Sequence, residues 1–145
     1  MSHAYARNYI HIVFSTQERR QFIRDLEGMW KYLRGIASEY GVELAEVGGT
    51  NDHVHIIAVM PPKISLAVLM RALKGNSSKW MNEAGHLFAW QQGYGAFSVS
   101  ASNLEKVREF VRKQAEHHQR VTYEAEFMAL LRKHGIKFTP EHILG

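Results

Sequence analysis

His53-Val54-His55 is the stretch of this chain with the plainest capacity for chemistry. In a β-strand, side chains at i and i+2 project from one face, so the two imidazoles would stand side by side. Two neutral imidazoles on a stiff strand can hold a divalent metal and leave coordination positions open for a substrate. The apolar residues Ile56, Ile57 and Val59 that follow support the strand, and residues 48–52 (Gly-Gly-Thr-Asn-Asp) read as the turn before it. The same pair also occurs on the solvated face of ordinary half-buried strands, and only the rest of the chain separates the two readings. Asp52, beside His53, suits either the orientation of a ligand imidazole or the turn itself. His11 alternates with Ile10 and Ile12 and reads as a satisfied strand histidine, while His117 and His118 take no ligand role.

The elements that must position these residues follow from periodicity. Residues 9–16 are β-rich, with Ile10, Ile12 and Phe14 on one face. Leu26, Trp30, Leu33 and Ala37 recur at helical spacing and predict a helix over residues 25–40, stopped by Gly41. Strands are expected at 42–47 and 53–60. Ser65 can cap a second helix carrying the stripe Leu66, Leu69, Met70, Leu73, Ser77, Trp80 and Met81 and ending near Gly85. Its other side offers Arg71, Lys74, Ser78 and Lys79, cations and hydroxyls suited to phosphate. Residues 88–100 are rich in aromatics and glycine and end in a strand over 96–100; Trp90, Tyr94 and Phe97 there would either stack on unpaired bases or enter the core. A third helix, from Leu104 to about residue 118, carries Val107, Phe110, Val111 and Gln114 on one side. It is the most basic part of the chain, with Lys106, Arg108, Arg112, Lys113 and then Arg120. A last helix over 123–134 has Glu124 and Glu126 in its first turn and Arg132 and Lys133 in its last, the order that complements the helix dipole.

Composition bounds what such a chain can be. Its 145 residues are 46% hydrophobic and 22% charged, which fits one globular domain over 1–145 with no linker or repeat. Without cysteine there is no disulfide framework or thiolate metal site, which is compatible with a reducing cytoplasm. No apolar run approaches the roughly 20 residues of a membrane span, and the N-terminus lacks the apolar core of a signal peptide, so no membrane partner is expected. The formal charge of +4 and pI near 9.4 favour a polyanionic partner. The element order strand, helix, strand, strand, helix, strand predicts an α+β, ferredoxin-like split βαβ fold. It has a four-stranded antiparallel sheet, helices on one face, and a third helix and a C-terminal helix in addition. In that topology the first and third strands are the central pair.

Four blocks carry a family resemblance: residues 49–55, 73–80, 90–100 and 114–118, collinear at compatible spacing. Together they resemble the single-tyrosine HUH transposases of small insertion sequences, including relatives associated with repeated palindromes. The resemblance implies a homodimeric DNA transposase that recognises hairpin ends and cuts and rejoins single-stranded DNA. It implies that His53, His55 and Gln114 hold Mg²⁺ or Mn²⁺ on the scissile phosphate, and a cytoplasmic, nucleoid-associated location. It also implies a tyrosine one helical turn before Gln114 that forms a 5′-phosphotyrosine intermediate. From their own chemistry, Asp52 is the candidate support of the ligands, and Arg108, Arg112 and Lys113 of the third helix join Arg71, Lys74, Ser78 and Lys79 as candidate DNA contacts.

Here the chain departs from the family. The position four residues before Gln114 is Phe110, which has no hydroxyl to attack a phosphate. Three accounts of it stand: a Tyr→Phe variant that captures intact DNA, a copy that binds without cleaving, or use of another tyrosine, of which Tyr123 is the nearest. A non-catalytic module that binds hairpin or single-stranded nucleic acid is the alternative reading of the whole chain.

Overall fold

The computed structural model describes residues 5–141. The elements are β1 (Asn8–Ser15), α1 (Leu26–Glu39), β2 (Glu43–Thr50), β3 (His53–Met60), α2 (Leu66–Glu83), β4 (Gly95–Val99), α3 (Leu104–Arg112), α4 (Gln114–His117) and α5 (Tyr123–Lys133). Side chains fix three of the helix starts: Asp25 accepts from Gly28 N, Ser65 from Val68 N and Thr122 from Ala125 N. Each such cap is worth about 1 kcal/mol. The strands form one antiparallel sheet in the order β2-β3-β1-β4, so β3 and β1 are the central pair, as the split βαβ arrangement requires.

Register decides which face each residue serves. On β1, Ile10, Ile12 and Phe14 point to one side and pack with Val54, Ile56 and Ala58 of β3 beneath α1 and α2. Leu33, Leu69 and Leu73 from those helices complete this main core. On the other face His53, His55 and Ile57 lie opposite Ser15, Val13 and His11, with Phe97 across from His11 and Gly48 across from His55. That second face is covered by α3, α4 and α5. A small apolar cluster of Val13, Phe97, Tyr123 and Leu131 holds α5 down.

Three boundaries differ from expectation. Residues 48–50 continue β2, with Gly48 opposite His55 and Thr50 opposite His53, so the turn contains only Asn51 and Asp52. The glycines serve close approach: a Cβ on Gly48 would lie 2.1 Å from the Val111 carbonyl oxygen, and one on Gly95 would lie 2.6 Å from the Phe127 ring. Missing side chains let α3 and α5 settle on the sheet. The expected helix over 104–118 is broken at Lys113, whose ψ of 27° ends α3. There the Gln114 side-chain amide donates to the Phe110 carbonyl at 3.2 Å, a polar side chain inserted into the helical ladder. Finally, β4 starts one residue early, at Gly95. Among the described residues no helix is long and apolar enough to cross a membrane.

Candidate metal centre

His53 and His55 are both fully buried, on the central strand β3, under the α3–α4 break and α5. The His53 Nδ1–H donates to Asp52 Oδ1 at 2.7 Å, and Thr50 Oγ1 donates to the same oxygen at 2.9 Å. That commits the Nδ1 proton and leaves a lone pair on His53 Nε2, which lies 2.9 Å from Gln114 Oε1. Because the Gln114 amide nitrogen is engaged by Phe110 O, its oxygen is the end that faces the imidazoles. His118 repeats the pattern. Its Nδ1–H donates to the Val121 carbonyl at 2.7 Å, and its Nε2 sits 2.9 Å from both Gln114 Oε1 and Glu126 Oε2. On the other side, His55 Nε2 lies 2.6 Å from Glu126 Oε1 and His55 Nδ1 lies 2.8 Å from His11 Nε2.

Lone pairs therefore converge with too few protons between them. Glu126 Oε2 is buried 2.9 Å from the Nε2 atoms of His117 and His118, yet neither it nor His117 Nε2 has an aligned hydrogen-bond partner. Ligand atoms from His53, His55, His118 and Glu126 all fall within 4.8 Å of one another. A His/Glu cluster of this composition can bind a divalent metal ion, and the proton deficit at its centre is what such an ion would relieve.

Burial sets the protonation states. It pushes His11 down to about 3, reinforced by His55, and pushes His55 down to about 4 against the opposing pull of Glu126. Burial also lowers His118. Neutral imidazoles are the form that binds metal. For Asp52 and Glu126 burial works upward, but hydrogen bonds from His53 and Thr50 to the first, and from His55 to the second, outweigh it and hold both carboxyls below their ordinary values.

Phe110 reaches the same site. Its ring centroid is 5.4 Å from that of His55, 5.0 Å from His117 and 6.2 Å from His11. It also borders an open cleft of about 770 Å³ shared with Lys106, Lys113, His117 and Arg120. Tyr123 stands on another side, its ring 4.8 Å from that of His53, but it is buried, and burial raises its pKa.

The basic residues are divided. Arg71, Lys74, Ser78 and Lys79 lie on α2, across the sheet from the histidines. Arg71 is exposed, Lys79 is exposed near Glu83, and Ser78 is half-buried, whereas Lys74 donates to the Gln91 and Gly93 carbonyls at 2.6 and 2.8 Å. Lys74 thus ties residues 91–93 to α2. On the site's own face, Arg108 and Arg112 both bond Glu46 Oε1, and Lys113 pairs with Glu109. Of the aromatics in residues 88–100, Phe97 is in the core and Trp90 packs on Phe14 while donating to Ser77, leaving Tyr94 as the exposed ring.

Sequence reasoning missed three members of the site. His11 is an integral neighbour of His55, and His118 points into the cluster. Glu126, which the sequence presents as a helix-dipole acid, is buried between His55 and His118. One signal was present: Glu126 falls three residues after Tyr123 and four before Leu130, a carboxylate inside an apolar stripe.

Comparison with known proteins matches residues 4–114 to the family described as "Transposase IS200 like". The transposase for insertion sequence element IS200 of Salmonella typhimurium is 30% identical over 116 residues, covering 73% of this chain and 76% of that protein. The ISDra2 transposase TnpA of Deinococcus radiodurans is 25% identical over 116 residues, covering 72% and 81%. Two solved structures share the fold. One, from Deinococcus radiodurans R1 and described as a transposase, has a TM-score of 0.63 at 24% identity over 79% of this chain and 96% of that one. The other, a REP-associated tyrosine transposase bound to a REP hairpin, has a TM-score of 0.64 at 13% identity over 83% and 74%. A family match over most of the chain, on a fold that sets paired histidines against a glutamine-bearing helix, makes this chain a member of the IS200-like transposase family.

Proposed function

We propose that this transposase binds the hairpin ends of an insertion sequence in single-stranded DNA and holds a scissile phosphate at His53, His55 and Gln114 on Mg²⁺ or Mn²⁺. The observation that carries the reading is the meeting of those three side chains and Phe110 at one buried site beside an open cleft lined by Lys106, Lys113 and Arg120 together with Glu109 and Glu116. A divalent ion there would polarise the phosphoryl oxygen and offset its charge. Asp52 and Thr50 fix the His53 ring so that Nε2 faces inward, and the Gln114 oxygen is aimed by its own bond to Phe110. A tyrosine at position 110 would bring its hydroxyl oxygen to the phosphorus. A P–O bond would form there, with loss of the tyrosine hydroxyl proton, as the P–O3′ bond broke, leaving a 5′-phosphotyrosine and, once the 3′ oxygen took up a proton, a free 3′-hydroxyl. Phe110 supplies no oxygen, and Tyr123 is buried with its pKa raised, so the chain as it stands binds without cutting. The site is built within one chain. Homodimerisation is part of the reading, since β4 pairs only with β1 among the described strands and offers its outer edge to a second copy.

The test is incubation of this protein and of Phe110→Tyr with single-stranded DNA from the ends flanking its gene, in Mn²⁺, followed by a denaturing gel. Phe110→Tyr should yield a covalent protein–DNA adduct and the parent none. Hairpin binding without any adduct from Phe110→Tyr would leave the non-catalytic binding module as the function. An adduct from the parent that Tyr123→Phe removes would move the nucleophile to Tyr123.

A further inference from the structure

We infer that Glu126, on the C-terminal helix α5, is an anionic ligand of the same metal ion, so that the centre is completed from outside the part of the chain that the family match covers. The inference rests on the metal-site reading above and extends it; that match ends at residue 114 and assigns nothing to α5.

Three observations lead to it. The first is placement: Glu126 is only 4% exposed, although α5 has a wholly solvated side where a carboxylate would cost nothing. Burying a carboxylate without full compensation is unfavourable, and such groups are found paired or bound to metal. The second is the pattern of unmet bonds. Glu126 Oε1 takes the His55 Nε2 contact, but Oε2 is buried, 2.9 Å from two imidazole nitrogens, with no aligned donor. His118 cannot supply the proton from Nε2 in its neutral form, because its single N–H is directed to the Val121 carbonyl. The third is convergence. The Glu126 carboxylate lies within 4.8 Å of ligand atoms from His53, His55 and His118. Ligands of one ion bound at about 2.0–2.2 Å stand no more than about 4.4 Å apart, so small side-chain movements close the set.

Charge gives the ligand its purpose. Two imidazoles and an amide carry no charge, and a dication held by them alone in a buried site keeps its full charge. A carboxylate offsets half of it and adds the hard oxygen donor that Mg²⁺ and Mn²⁺ favour. Oε2 is the oxygen that faces the gap.

Mn²⁺ affinity is the direct readout, measured on the full-length chain by electron paramagnetic resonance of the free aquo ion, with Glu126→Gln and His53→Ala as the variants. Glu126→Gln keeps the shape and removes the charge. It should weaken Mn²⁺ binding at least tenfold and shrink the rise in Tm that Mn²⁺ gives the parent. Parent-like affinity in Glu126→Gln with binding lost in His53→Ala would overturn this inference and leave the metal site of the proposed function intact. Parent-like affinity in both variants, or no binding by the parent, would remove the metal site altogether. Should Glu126→Gln melt below the assay temperature in EDTA, Glu126→Leu, which keeps much of the volume and removes the oxygen donor, carries the same measurement, and unchanged Mn²⁺ affinity there equally overturns the ligand role.

Discussion

At the scale of the residue, the site is a set of hydrogen-bond donors assigned outward and lone pairs left inward. Asp52 and Val121 O take the outer protons of His53 and His118, and His11 meets the outer nitrogen of His55, Nδ1, while Nε2 faces Glu126. This arrangement has a consequence for acid stability. His11 and His55 are held at about 3 and about 4, below the 6.5 of the unfolded chain. Between these values the unfolded chain binds more protons than the folded one, so stability is complete above about pH 6.5 and declines as pH falls toward 4 and then 3. Metal-free protein in EDTA should therefore show a falling Tm from pH 7 to 5, with a shallower slope in His11→Gln. Parallel slopes for the two proteins would show that His11 is not titrating as its burial requires. The His pair was legible from i, i+2 spacing on an apolar strand, and Gln114 and Phe110 from family resemblance. Glu126 was not, because an acid in the first turn of a helix already has a sufficient local explanation in the helix dipole. Only its burial against β3 gives it another.

At the scale of the element, α3 is placed by what β2 lacks. Gly48 exposes bare backbone at the point where the Val111 carbonyl comes down, and Glu46, two residues earlier on the same face, gathers Arg108 and Arg112. The sequence displays the two adjacent glycines, and glycines beside an Asn-Asp pair read as a turn; the contact that demands Gly48 comes from a helix more than 60 residues away. Local pattern cannot show such a demand. Gly48→Ala forces either α3 or β2 to move and should destabilise by about 1–3 kcal/mol, the usual cost of overpacking. It should also weaken Mn²⁺ binding, because Gln114 follows directly on α3. Gly35→Ala is the control: it lies exposed inside α1 with nothing within 4 Å of a new Cβ, and should stabilise by about 0.5–1 kcal/mol. Thermal melts of the two variants check the pair, and equal, small effects would mean that α3 does not rest on Gly48. The break at Lys113 was equally hidden, since residues 104–118 keep helical periodicity straight through it.

At the scale of the whole molecule, the sheet separates two tasks. One face is an apolar core under α1 and α2, and the other holds the histidines, α3 and the cleft that Phe110 borders. The basic residues of α2 and those of α3 consequently lie in different layers. Arg108, Arg112 and Lys113 are engaged with Glu46 and Glu109, while Arg71 and Lys79 stand exposed. A chain with a formal charge of +4 draws DNA by releasing counterions, with log K falling as log salt rises by about 0.7 per phosphate contact for single strands and about 0.9 for duplex. If α2 grips the hairpin stem, Arg71→Ala and Lys79→Ala should each weaken hairpin binding and flatten that dependence by close to one contact. Neither should change Mn²⁺ affinity, because the His/Glu cluster is on the far side of the sheet. Lys74→Ala should instead act through the fold, by releasing residues 91–93 from α2. Fluorescence anisotropy on a labelled hairpin across a salt series, beside the Mn²⁺ titration, measures both quantities. An unchanged salt slope in Arg71→Ala and Lys79→Ala would transfer the DNA-gripping role to the α3 face, where Glu46 must then release its arginines to phosphate.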